Sequence, residues 1–168
     1  MKKISQCCVS ATDLLNSLAP LIPLLFLRLL LAWEFGESGL EKLHGANWFA
    51  DLTFPFPFNL LSPETNWVLS TWFELTGATA LILGIATRFF SLSLMIITVV
   101  AISTVHWPEH FNSLNEFLRG YRLVDEEGDG FGNYKLPVIY LVMFLPLLFN
   151  GAGKLSLDFL IKKSSLGS

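Results

Sequence analysis

"PLIPLLFLRLLLAWEFGESGLEKLHG" runs from Pro20 to Gly45, and its reading decides the fold. From Leu24 to Ala32 only Arg28 is polar, and the run is greasy enough for lipid. Three glutamates follow while the helical pattern continues. Glu34, Glu37, Ser38 and Glu41 stand at i, i+3, i+4 and i+7, which is one stripe of a helix. An ionisable residue facing lipid in a crossing helix costs about 2.5–3.5 kcal/mol on insertion scales. The stripe is therefore expected to form one wall turned into a helical bundle. At about 100° per residue, Arg28 lies roughly 120° from Glu34 and nearly opposite Glu37. It is expected to snorkel towards the membrane surface or to pair with another helix.

The rest of the chain supports a membrane setting. Apolar residues make up 52% of the 168 residues and charged ones only 15%, where a typical soluble domain has about 25% charged. Crossing a hydrocarbon layer takes about 20 residues of helix. Four stretches approach that length, at about 20–43, 66–87, 89–107 and 134–150. The expected fold is an all-α membrane protein, an antiparallel bundle of four transmembrane helices in a domain spanning 18–160. A polar cytoplasmic tail, 1–17, precedes it and a basic and polar tail, 161–168, follows. Lys2 and Lys3 lead into a polar segment rather than an apolar core, so no cleavable signal peptide is expected.

Lys2, Lys3, Arg88, Lys154, Lys162 and Lys163 fall on one side of such a bundle, and the acidic loops on the other. The positive-inside rule then places both termini in the cytoplasm, in an inner (plasma) membrane. Trp48, Trp67 and Trp107 fall near the outer interface. The "FPFPF" run, Phe54 to Phe58, forbids a helix or a central strand. In the outer 108–133 loop, Phe111, Leu114, Phe117, Leu118 and Tyr121 recur at helical spacing. They predict a short amphipathic helix that lies on the membrane surface or covers the bundle end.

Counting inward at 1.5 Å per residue puts Glu34 roughly 13 Å and Glu74 roughly 12 Å below the outer helix ends. Two carboxylates on neighbouring helices thus share a depth, flanked by Trp33 and Trp72. His106 ends the third helix and Lys135 starts the fourth on that side. The expectation is an outer pocket in which Glu34, Glu74 and His106 relay protons, lined by Trp33, Trp72 and Glu37. A protonated carboxyl at such a depth can hand a proton to a quinone. The plainer alternative is that these charges only hold helices together.

Other chemistry is less favoured. Glu34, Glu74 and His106 could ligate iron, zinc or manganese, but no Glu-x-x-His pair marks a di-iron bundle. Pro108 separates His106 from His110. Soft copper prefers Cys and Met, and the spans offer only Met95 and Met143. No metal is therefore assigned. Cys7 and Cys8 are adjacent, a spacing of neither a redox pair nor a zinc site. "DEEGDG", Asp125 to Gly130, imitates a calcium loop, but its twelfth position is Leu136 instead of a bidentate glutamate. The net charge of −3, with no basic patch, argues against nucleic acid.

Several segments, in order, resemble the DoxX family of small membrane proteins. They are Arg28 within "LRLLLA", "SGLEKLHG" (Ser38–Gly45), Glu74, "LILGIATR" (Leu81–Arg88), "TVHW" (Thr104–Trp107) and "GAGKLSLD" (Gly151–Asp158). "FNLLSPETNWVLSTWFELTG" and "VHWPEHFNSLNEFLRGY" are similar to its HvfX-type branch. So is "GFGNYKLPVIYLVMFLPLLFNGAGKLSLD". The resemblance implies an accessory inner-membrane protein that supports maturation or handling of a copper-binding modified peptide. Its partners would be the lipid bilayer and proteins or peptides of that pathway, with quinone-linked proton or electron exchange. A homo-oligomer is compatible with it. The wider family also implies two alternatives, a membrane subunit of a quinone-dependent sulfur or thiol oxidoreductase and a structural anchor without chemistry. Ser38 stands where many relatives carry histidine, and Lys135 where many carry glutamate.

Overall fold

The computed structural model describes residues 12–107, 113–119 and 133–166. Cys7, Cys8, His110, the 125–130 acidic turn, and Phe111 and Tyr121 at the two ends of the predicted surface helix lie outside them. Among the described residues the chain is helical, without strands. In order come α1 (Thr12–Leu18), α2 (Ile22–His44), α3 (Pro63–Leu83) and α4 (Thr87–Ala101). A π-helical turn (Ile102–His106) prolongs α4, and α5 (Leu114–Arg119), α6 (Lys135–Asn150) and α7 (Leu157–Leu166) follow. Leu114 and Leu118 of α5 are exposed.

Local chemistry sets the boundaries. Pro20 and Pro23 sit where α1 meets α2 at a 47° bend. α3 starts three residues before the expected Asn66, because the Ser62 hydroxyl accepts the Thr65 amide at 3.2 Å and Pro63 fills the first turn. It stops at Gly84, whose φ of 67° is left-handed. A Cβ there would lie 2.5 Å from Ser156 Cβ and closer still to Arg28 Nη1, so no larger residue fits.

Residue contacts show the four long helices running antiparallel to their neighbours. Lys42 meets Glu74 while Arg28 meets Leu81, and Glu34 meets Tyr140 while Pro20 meets Lys154. Arg88 meets Phe149 at one end of α4 and Trp107 stacks near Tyr134 at the other. The core lies between them, built from Leu31, Ala32, Phe35, Ala78, Leu81, Leu94, Phe144 and Leu147.

The outside is as apolar as the inside. Phe26, Leu30, Ile82, Phe89, Ile96, Val99, Val142 and Phe149 all face outward. Several hydroxyls on these helices bond within their own helix, as Thr71 does to Trp67 O at 2.8 Å and Thr79 to Leu75 O at 2.9 Å. That satisfies them without water. By length and composition one helical stretch, Thr87–His106, is long and apolar enough to cross a membrane. The bent pair α1–α2 makes a second if counted as one span, and α6 is apolar but shorter.

The first turn of α4 depends on the chain after α6. Ala86 holds a left-handed φ of 46°, which costs a non-glycine residue about 1–2 kcal/mol. Asp158 fixes that turn by accepting the Ala86 amide at 2.8 Å and the Thr87 amide at 3.0 Å. Asp158→Ala is expected to lose about 0.5–2 kcal/mol, the worth of an N-cap. A thermal midpoint matching the parent protein would count against this account.

Candidate functional site

α2 decides which side chains enter the site, and it turns a different face inward from the one the glutamate stripe suggests. Its buried residues are Arg28, Leu31, Ala32, Phe35 and Gly39. Glu34 and Ser38 flank that face and are half-buried, whereas Glu37 and Glu41 are exposed. Packing explains the rotation. Gly39 lets α3 approach so closely that a Cβ there would sit 2.9 Å from Leu75 Cγ. Leu31 and Phe35 fill the core on either side of the helix contact. The expected wall of three glutamates is thus replaced by Glu34, Ser38 and Lys42, at i, i+4 and i+8.

Lys42 is the residue that the sequence reading left out of the site. Its ammonium donates to both Glu74 oxygens, at 3.0 and 2.8 Å, and to Ser38 Oγ at 2.7 Å. Both side chains of the pair are largely buried, with 13% and 5% exposure. The i+4 spacing of Ser38 and Lys42 was visible in the sequence. In sequence Lys42 counts only among the charges that hold helices together, because it sits close to the helix end, where a lysine usually snorkels to water. Glu34 takes a different partner, the Tyr140 hydroxyl of α6, which donates to Glu34 Oε2. The two glutamates expected to face each other are therefore each engaged separately, one by a cation and one by a phenol.

Both groups line one cavity of about 540 Å³ between α2, α3, α4 and α6. Its walls are mostly apolar, from Phe35, Leu69, Phe73, Ile96, Ile97 and Val100. His106 lines it as well, carried in by the π-helical turn that ends α4. Such turns are rare and are frequently found at functional sites. The loop between α2 and α3 closes one side. Phe49 packs against Trp48, Phe54 and Trp67 with ring centroids 4.9–5.3 Å apart, and Asn66 Nδ2 donates to Phe58 O at 3.0 Å. The "FPFPF" run therefore covers the bundle end.

Of the predicted site residues, Glu34, Glu74 and His106 share this cavity. Trp33, Trp72 and Glu37 do not line it. Trp33 and Trp72 are 71% and 56% exposed, because the α2 and α3 faces that carry them point away from the helix contact. Among the described residues, no three of His, Cys, Asp and Glu gather as a metal-binding group.

The opposite end is a structural knot. Arg28 is fully buried. It pairs with other elements and does not snorkel: Nη1 donates to Leu81 O at 3.1 Å and more weakly to Ile82 O at 3.4 Å, and Nη2 donates to Leu155 O. The segments behind the family resemblance divide between the two ends. "LRLLLA", "LILGIATR" and "GAGKLSLD" meet at the Arg28 knot, while "SGLEKLHG", Glu74 and "TVHW" meet at the cavity.

A family model described as DoxX matches residues 23–107. An uncharacterized protein of Haemophilus influenzae is 47% identical over 144 residues, covering 84% of this chain and 85% of that protein. No solved structure matches the chain.

Proposed function

The chain belongs to the DoxX family of membrane proteins, and from that premise we propose that its cavity receives the head group of a quinone. On this reading the protein is an accessory inner-membrane component of HvfX type. It supports maturation or handling of a copper-binding modified peptide, and the cavity couples that work to proton exchange with the quinone pool. Its four long helices cross the bilayer as an antiparallel bundle with both termini cytoplasmic, the charge distribution being the support for that orientation.

One observation carries the quinone reading. The cavity is walled by apolar and aromatic side chains and holds a few convergent polar groups, the composition of a small-molecule site. The polar groups suit two ring oxygens. The Lys42 ammonium and the Tyr140 hydroxyl are donors, and the Glu34 and Glu74 carboxylates stand behind them as proton acceptors. A quinone taken to quinol gains two electrons and two protons. Lys42 and Tyr140 would each give up one proton and regain it from water through Glu74 and Glu34, and a redox partner of the chain would deliver the electrons. The pathway assignment is supported by the HvfX-like segments of the sequence.

Purified protein titrated with a short-chain ubiquinone analogue tests the cavity. Saturable binding in the parent, weakened at least tenfold in Tyr140→Phe and Glu34→Gln, is expected. A parent protein that binds no analogue would sink the reading. For the pathway, deletion of the chain should lower copper tolerance or alter the modified product.

A further inference from the structure

We propose that the groove at the Arg28 end of the helices, on the far side of the bundle from the cavity, binds the phosphate head group of an anionic phospholipid. Three cations line this groove: Arg88 at the start of α4, Lys154 in the segment after α6, and Lys162 on α7. Among the described residues no carboxylate forms an ion pair with any of them. The one acidic side chain lining the groove, Asp158, has both oxygens committed to the Ala86 and Thr87 amides. The local balance is therefore cationic although the whole chain carries −3.

Two further observations point to a ligand. Thr87 also lines the groove, fully buried, and its Oγ1 has no hydrogen-bond partner. A buried hydroxyl without a partner costs about 1–3 kcal/mol, and a phosphate oxygen would satisfy it. The remaining walls are apolar, from Pro23, Leu24, Leu27 and Phe89, and suit the start of an acyl chain. α7 places this end at a lipid surface. Its Leu160 and Ile161 are exposed beside Lys162 and Lys163, the pattern of a helix lying in the interface with lysines at head-group level. Basic pockets between membrane helices are a recurrent way of holding anionic lipid heads.

Native mass spectrometry of the detergent-purified full chain, titrated with dioleoyl phosphatidylglycerol or dioleoyl phosphatidylcholine, tests this. The phosphatidylglycerol adduct should survive at least tenfold better than the phosphatidylcholine adduct. Lys154→Gln with Lys162→Gln, which leaves the Arg88 bond to Phe149 O intact, should reduce that preference at least fivefold. Thr87→Val should weaken phosphatidylglycerol retention without altering overall charge, while Lys163→Gln should change nothing. Equal retention of the two lipids, or a double variant that keeps the full preference, would overturn the proposal. So would inorganic phosphate that competes on equal terms with the lipid.

Discussion

Arg28→Met is expected to cause the largest loss of stability of any single substitution in this chain. The guanidinium reaches carbonyls of α3 and of the segment after α6 from inside the protein, with no exposure. Methionine keeps most of the volume and removes every donor. Each of these carbonyls left without a partner costs about 1–3 kcal/mol, so the three together cost on the order of 3–9 kcal/mol. That is comparable with the whole stability of many domains, about 5–15 kcal/mol. The measurement is the yield of monodisperse protein from detergent and its thermal midpoint. Arg28→Lys should fall between parent and Met, because an ammonium is a point donor and cannot span carbonyls on two elements as a planar fork does. A Met variant that purifies and melts like the parent would refute the clamp.

The second large effect is expected at the cavity. Lys42→Met strands Glu74, whose side chain is 5% exposed, without its cation. Breaking one partner of a buried pair costs about 3–5 kcal/mol. Replacing both with apolar residues is often neutral, so Lys42→Met with Glu74→Leu should recover most of the loss. The double variant then separates structure from function. If it folds and still binds the quinone analogue as well as the parent, the pair is only helix glue. Loss of analogue binding in that well-folded variant is the outcome that ties the pair to the cavity.

How far the sequence could be read is clearest on α2. Its helix, its length and the angle between Arg28 and Glu34 all followed from 100° spacing. The inward face did not. A polar stripe was taken to mark the interior because charge in lipid is costly. In the structure the apolar and small residues set the contact, with Gly39 admitting α3 and Phe35 filling the core, and Glu37 fell on the outer side. Spacing gives the relative angles of side chains but not their absolute rotation. That rotation depends on the shape of the helix opposite, which one helix's sequence does not contain.

The same limit explains the site. Depth counting put Glu34 and Glu74 at a similar level and His106 at the outer helix end, and all three line one cavity. Their actual partners, Tyr140 and Lys42, depend on which helices are adjacent and how they are turned. The start of α3 was missed for a smaller reason: Ser62 directly before Pro63 is a cap followed by a first-turn proline, and the signal was present but read three residues late. α7 lies partly in a stretch read as a polar tail, because its lysines and serines hide an apolar face too short to register as a span.

The Arg28 knot also bears on how the protein is made. A ribosome delivers α2 early, and the Arg28 guanidinium is made before its full set of acceptors exists. The carbonyls of Leu81 and Ile82 come with α3, but Leu155 follows only after α6 has been made. Until then one face of a charged group has no permanent neighbour, and the early helices are held in a provisional arrangement. The stretch from Gly151 to Asp158, made after α6, closes the guanidinium and fixes the start of α4 together. An unfinished chain thus carries an unmet charge where the complete protein has a buried, bonded one, a chemical mark that separates a partial product from a complete one.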